Sequence, residues 1–399
     1  MAVHLWLRSE PKMSEHRTAL TPAKCKELVS AGTLLCNDAY ALLNMAPWFQ
    51  ITVENSKDRI FKDEEYARIN GVSMAPEGSW VYAPKDTFIL GIKELAESDS
   101  SIPQTHIYFA HAYKVSIQFL LSKSCIYLRI ISIYSVNQDG WVDLLNRFIK
   151  GGGKILDVEY MTDDSNRRLV ATFPHLAGFS GMAVGLKAWC LQQLRHVSTY
   201  SYFLSPPSMP SLEPYDNEKV LVNDVKMMLQ NVAKAKGLPD CHPRIVVIGA
   251  LGRCGKGALD MAYKVGIPST HIAKWDINET KAGGPFEEIV QYDIFVNNIK
   301  LTKKIPPFLT RKVLDTDQRN LSVVVDVSCD VSNPNNPLPF LDSITTFQNP
   351  SRRLQLSNCT KPLDLVAIDN LPSLLPREST VLFADSITPY LLKLPEVVI

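Results

Sequence analysis

The 399-residue chain lacks several features that would by themselves assign it to a class. Its eight cysteines (Cys25, Cys36, Cys125, Cys190, Cys241, Cys254, Cys329, Cys359) include no closely spaced pair. That spacing excludes a CxxC redox motif and the ligand spacing of a structural zinc, so no metal is expected and structural thiols in a reducing compartment are the default. Charge of one sign is missing as well: 42 Lys and Arg against 41 Asp and Glu leave a formal +1. A general nucleic-acid or membrane-surface binder needs a clustered basic excess, so neither partner is expected. The N-terminal "MAVHLWLRSEPKM" lacks the long apolar core and small-residue cleavage site of a secretory signal. A cytoplasmic protein acting on a small molecule is the resulting expectation.

A membrane-spanning run is also absent. The nearest stretch, "VSIQFLLSKSCIYLRIISIYSV" at 115–136, approaches the ~20 residues a span requires. Lys123 and Arg129 would each cost about 2.5–3.5 kcal/mol at a helix centre, so no span is expected. Nor is there a nucleoside-triphosphate loop. In "VIGALGRCGKGAL" (247–259) the gap between Gly249 and Gly255 is one residue too long, and Lys256 is followed by Gly257 where Ser or Thr is required.

What is present is an alternation of strands and helices. "HLWLRSE", "TFILGIKEL", "IYFAHAY" and "KILDVEY" read as strands. "TPAKCKELVSAG" reads as a helix with Thr21 as N-cap and Pro22 at its first position, and "GWVDLLNRFIKGGG" as another. A long helix over "AGFSGMAVGLKAWCLQQLR", a Pro/Ser/Tyr-rich loop and a helix over about 217–236 mark a handover between domains. From Arg244 the alternation resumes with "RIVVIGA", "HIAKWDI", "DIFVNNI" and "LSVVVDVS". Short apolar, β-branched strands between helices indicate an α/β protein with parallel sheets buried on both faces.

This context gives the glycine stretch a meaning. It follows a strand and opens a helix, as a dinucleotide turn does, although its glycines at 249, 252, 255 and 257 depart from the GxGxxG spacing. Asp276 ends the next strand, where a carboxylate can bond an adenosine ribose and repel a 2′-phosphate, which favours NAD over NADP. The alternative is a tight turn with a capping carboxylate that binds nothing. In the first half, Lys12, Glu15 and Arg17 occupy the loop after the first strand, and Arg17 could clamp a carboxylate bidentately. Lys93 and Glu94 follow one strand, and His111 and Lys114 follow the next. A lysine and a histidine from neighbouring strand ends can divide proton transfers once burial and nearby charge bring the lysine toward neutrality.

At this point the residues carry a resemblance. "RTALTP", "PEGSW", "GIKE", "FAHAYK", "RFIKGGG", "IGALGRCGKGA", "KWDI", "GGPFEEI", "VVDVSCDVSNPNNPLP" and "AIDNLPSLLPRES" occur in order, and together they resemble the NAD-dependent, lysine-forming saccharopine dehydrogenase family. The resemblance implies two Rossmann-like domains with parallel sheets facing a central cleft: a substrate domain of 1–172 plus 381–399 and an NAD-binding domain of 173–380. It implies oxidation of saccharopine by NAD to an imine and hydrolysis to lysine and 2-oxoglutarate, by a monomer. It further implies Lys93 as the group that takes the proton of the substrate amine and His111 as the acid–base group for hydrolysis. Arg17 and Arg168 would contact substrate carboxylates, with Lys12, Glu15, Glu94, Lys114 and Glu159 as charged neighbours. Gly249, Leu251, Gly252, Arg253, Asp276, Ile277 and Asp369 would serve the cofactor or cleft. Another amino-acid dehydrogenase of the alanine dehydrogenase kind, or an NAD-binding protein disabled by insertions, are the alternatives.

The departures from the family are also informative. A cysteine that can pair with the one at Cys254 is replaced here by Asn298, so that disulfide is impossible. The family continues with a further helix beyond "LLKLPE". Two segments, roughly 33–50 and 115–136, have no family counterpart, and their boundaries suit retained intervening sequence. The second is apolar and β-prone, and its removal together with 33–50 is expected to improve solubility and activity.

Overall fold

The computed structural model describes residues 2–12, 15–31, 48–110, 141–163, 168–170, 173–197, 209–331 and 333–398. His111, Lys114, the 115–136 segment and residues 33–47 lie outside the described residues. The chain divides into two compact units, one of Met1–Thr172 with Arg377–Ile399 and one of Phe173–Pro376.

Six strands build the sheet of the first unit: β1 (Val3–Leu7), β2 (Phe49–Glu54), β3 (Val72–Ala75), β4 (Phe88–Leu90), β5 (Thr105–Tyr108) and β6 (Lys154–Asp157). Their order is β3-β2-β1-β4-β5-β6, and every neighbouring pair is parallel. This is the 3-2-1-4-5-6 order of the Rossmann fold, with its reversal of direction between β1 and β4. The helix Pro22–Ala31 begins as its sequence requires, with the Lys24 amide donating to the Thr21 hydroxyl at 3.1 Å. The expected boundary of the first insertion needs correction. Phe49 and Gln50 are the opening residues of β2, in register with Val3 and His4, and Phe49 is 1% exposed. Successive side chains of a strand point to opposite faces of the sheet, and Phe49, Ile51 and Val53 are the buried apolar side chains of one face of β2.

The second unit contains β7 (Ile245–Ile248), β8 (Ile272–Trp275), β9 (Ile294–Asn297), β10 (Val323–Asp326), β11 (Arg352–Arg353) and β12 (Asp364–Val366). Their order is β11-β12-β10-β9-β7-β8, parallel except for the antiparallel edge strand β11. All four residues of β7, β9 and β10 are buried, which is why β7 reads as an unbroken apolar run and β9 and β10 are apolar up to their last residues, Asn297 and Asp326. One face is covered by the helices Pro174–Val197, Glu218–Lys236 and Arg253–Lys264, and a second apolar cluster around Phe295, Phe308 and Leu338 covers the other. Two of these helices meet backbone to backbone: a Cβ on Gly178 would lie 1.8 Å from the Cys254 carbonyl oxygen, and one on Gly257 1.9 Å from that of His175. Among the described residues no helix is long and apolar enough to cross a membrane.

Candidate active site

In the first unit the charged groups picked out from the sequence converge where β1 and β4 lie side by side and the strand order reverses. Ligands of open α/β sheets bind at that point, beyond the carboxyl ends of the strands. Lys93 lies three residues past β4. Its amine is pushed below the ordinary lysine value first by burial and then by the positive charge of Arg17; Glu15 and Glu94 pull it back up, and Lys12 again lowers it. Four of the expected neighbours thus act on the expected base.

The Arg17 guanidinium grips Glu15 with two parallel bonds, Nε to Oε1 at 2.7 Å and Nη2 to Oε2 at 2.6 Å, and both side chains are 3% exposed. Burial alone would raise the Glu15 carboxyl, but the charge and hydrogen bonds of Arg17 prevail and hold it below the usual carboxylate range. Lys12 Nζ reaches Glu94 at 3.3 Å on the open side of the cluster. Past β6, Arg168 Nη2 donates to Glu159 at 2.7 Å, an exposed pair two strands away from Lys93.

Three further residues at these strand ends escaped the sequence reading. Glu10 and Arg8, at the end of β1, form an ion pair of 3.3 Å with side chains 4% and 1% exposed. Glu54, the last residue of β2, is fully buried and accepts from Trp6 Nε1, the Ser9 amide and hydroxyl, and the Gly78 and Trp80 amides at 2.6–3.0 Å. It fastens the "PEGSW" turn to β1. The available signal was charge at the ends of apolar strands: "LRSE" and "TVEN" each set ionisable residues where a strand leaves the core.

In the second unit the glycine stretch forms a strand-to-helix turn. Gly249, directly after β7, has φ +79°, a conformation that favours glycine. Gly252 caps the helix Arg253–Lys264, whose N-terminal amides carry partial positive charge. Asp276 follows β8 and accepts from the Leu251 amide and from the Ile277 amide, each at 2.9 Å, in a capping box with Glu279. The capping role entertained from the sequence is therefore real, and it sets the carboxylate beside the glycine turn. Leu251 and Ile277, 69% and 65% exposed, flank that carboxylate with apolar surface that an adenosine could cover. Arg253 and Asp369 are exposed, Asp369 just beyond β12. These groups fit a dinucleotide: a glycine turn for the pyrophosphate and a carboxylate for the ribose.

At the carboxyl ends of β9 and β10, a buried network that the sequence reading missed supports the same edge. Asp326 accepts from Ser328 Oγ at 2.6 Å and Asn297 Nδ2 at 2.9 Å, and burial raises its carboxyl. Asn298 stands beside Gly249, its amide donating to the Ile248 carbonyl at 3.2 Å, and Cys254 is a free thiol pushed up by burial. Among the described residues no cluster of His, Cys, Asp and Glu could hold a metal ion.

Comparison with known proteins agrees with this architecture. Residues 6–180 match the family described as alanine dehydrogenase/PNT, N-terminal domain. L-alanine dehydrogenase superposes with a TM-score of 0.58 at 15% identity, covering 99% of this chain and 90% of that one, and the transhydrogenase of Sinorhizobium meliloti gives 0.50 at 15% identity, covering 99% and 95%. At those identities the likeness concerns the fold. Sequence similarity is much closer to two curated fungal proteins, both named saccharopine dehydrogenase (NAD(+), L-lysine-forming). The one from Schizosaccharomyces pombe is 44% identical over 398 residues, covering 100% of this chain and 94% of the relative. The one from Emericella nidulans is also 44% identical, covering 98% and 92%. With both sheets, both glycine-bearing helices and the Lys93 cluster inside that full-length match, the chain belongs to the saccharopine dehydrogenase family.

Proposed function

We propose that this protein oxidises saccharopine with NAD and releases lysine and 2-oxoglutarate, with the first unit holding the substrate and the second the dinucleotide. The observation that carries this reading is Lys93: an amine depressed by burial and by Arg17, set at the strand reversal among Lys12, Glu15, Arg17 and Glu94. NAD supplies the hydride acceptor, through the turn at Gly249, Leu251, Gly252 and Arg253 and the groups at Asp276, Ile277 and Asp369. A carbon beside nitrogen releases hydride readily only when the nitrogen is neutral, so a base is needed there, and a lysine whose amine burial and Arg17 push below its ordinary value is suited to that task. Lys93 takes that proton. The cationic side chains of Lys12, Arg17 and Arg168 suit a substrate rich in carboxylates. Water then adds to the imine and the carbon–nitrogen bond breaks, the task that the resemblance gives to His111. We read the protein as a cytoplasmic monomer, which sedimentation and fractionation test.

Turnover is tested by NADH formation with saccharopine, alanine and glutamate in parallel. Activity on saccharopine alone supports the reading, and activity on alanine replaces it with the alanine dehydrogenase kind. The cofactor assignment has its own test. NAD is expected to outperform NADP, and Asp276→Ala to narrow the difference because the carboxylate no longer repels a 2′-phosphate. Equal use of both cofactors by the unmodified protein would remove Asp276 from the site.

A further inference from the structure

Among the described residues, no strand pairs with the Lys93 backbone. There the β4 ladder continues to its neighbours: the Gly91 amide donates to Ile107 and the Ile92 carbonyl accepts from Phe109, each at 3.1 Å. Beyond them, the partners that Lys93 finds for both its backbone groups are charged side chains from the segment that follows β1. The Glu10 carboxylate accepts from the Ile92 amide at 2.7 Å through Oε1 and from the Lys93 amide at 2.9 Å through Oε2. Arg8 Nη2 donates to the Lys93 carbonyl, and Arg8 Nη1 closes the ring by donating to Glu10 Oε2 at 3.3 Å. Gly91 leaves the room for this arrangement, since a Cβ there would lie 2.4 Å from Arg8 Nε. The pair is almost fully buried, 1% and 4% exposed.

We propose that Arg8 and Glu10 are positioning residues for the reaction: together they grip the amide and carbonyl of Lys93 and fix where its amine stands. This rests on the reading of Lys93 as the base. A buried ion pair returns little stability against its desolvation cost, and apolar residues would fill the same space at least as well. The Arg8 fork donates to the Lys93 carbonyl while the two Glu10 oxygens accept from the Ile92 and Lys93 amides, a hold on the backbone that apolar side chains do not provide. Among the described residues, the last backbone bond of this segment to the neighbouring strand is at the Ile92 carbonyl, so the pair supplies the next fixed points. A displacement of about 1 Å at a catalytic group is enough to cost on the order of 10²-fold in rate.

A double-mutant cycle tests the proposal, with kcat on saccharopine and KM for NAD measured for each variant. Glu10→Gln keeps one accepting oxygen but turns a donor toward the other amide. It is expected to lower kcat by about 10²-fold while leaving KM for NAD within about twofold, and to have no further effect in a Lys93→Met background. Full kcat in Glu10→Gln overturns the proposal. So does an equal loss with and without Lys93, which marks a general structural defect. Should Glu10→Gln fail to fold, Arg8→Lys, which keeps the charge beside Glu10 but gives up the planar fork, replaces it in the same cycle under the same criteria. If Lys93→Met is itself fully active, it is the base assignment that fails, and the two failures are thereby distinguished.

Discussion

Single side chains in the first unit are tuned through burial and charge together, and this gives two of them a pH signature. A base acts in its neutral form, so activity limited by Lys93 rises as pH climbs through its depressed value. Arg17 is the largest charged contributor to that depression. Arg17→Met is expected to move the acidic limb of kcat/KM to higher pH, as a pH–rate profile would record; a limb unmoved or shifted down would separate Arg17 from the base. His106 is the second case. It is completely buried on β5 with Trp80, Tyr108 and Phe148 around its ring, and among the described residues neither ring nitrogen has a hydrogen-bond partner. Burial, then the charges of Arg8 and Arg147, hold it well below the ordinary 6.5. The folded ring therefore resists protonation that the unfolded ring accepts, and stability is lost as pH falls below about 6.5, by up to about 1.4 kcal/mol per pH unit. Denaturant titrations between pH 5 and 7 are expected to show that slope in the natural protein and a flatter one in His106→Leu. An identical slope in both would assign the acid sensitivity to other groups.

Elements differ in how openly the sequence declares them. β7, β9 and β10 are legible because strands buried on both faces are apolar along most of their length, and the helix Pro22–Ala31 because its cap and first proline are local signals. The Lys93 cluster was legible as charge at strand ends. What was not legible is tertiary: which backbone groups Glu10 and Arg8 take, or that Glu54 gathers donors from two separate loops, depends on strands far apart in the chain. β2 was misjudged for a related reason. Its first two residues adjoin a segment without family counterpart, and only pairing with β1 reveals that Phe49 and Gln50 belong to the sheet. A deletion confined to 33–47 is accordingly expected to spare the fold, since lengthening or shortening a connection changes closure entropy only slowly. Extending the deletion through Gln50 removes the buried Phe49 side chain, a loss of about 3–5 kcal/mol by analogy with Phe→Ala substitutions, and shortens the parallel pairing. Thermal melts of the two deletions should differ by several degrees; equal melting would return 48–50 to the insertion.

At the scale of the whole chain, the first unit is made of two separated stretches, so its stability depends on a segment that arrives after the second unit is complete. The helix Pro376–Leu391 supplies Phe383, Ala384, Ile387 and Leu391 to the interior, each 2% exposed or less. It is tied to the N-terminal stretch at several points: the Thr18 amide donates to Thr380 Oγ1 at 3.1 Å, the Arg377 guanidinium lies 4.6 Å from the Phe61 ring centre, and the Phe383 and Phe109 rings are 5.8 Å apart. Burying each large apolar side chain is worth about 1.5–3 kcal/mol, so Phe383, Ile387 and Leu391 together approach the 5–15 kcal/mol that holds a whole domain folded. Ending the chain after Pro376 is therefore expected to unfold the first unit. The second unit, continuous from Phe173 to Pro376, keeps both of its apolar clusters and its glycine turn. Limited proteolysis of the truncated protein should erase 1–172 and leave a resistant fragment beginning near Phe173, which still quenches or enhances NADH fluorescence on binding, while turnover of saccharopine is lost. A truncated protein whose N-terminal stretch resists protease as well as the full chain does would show that the unit closes without its last helix.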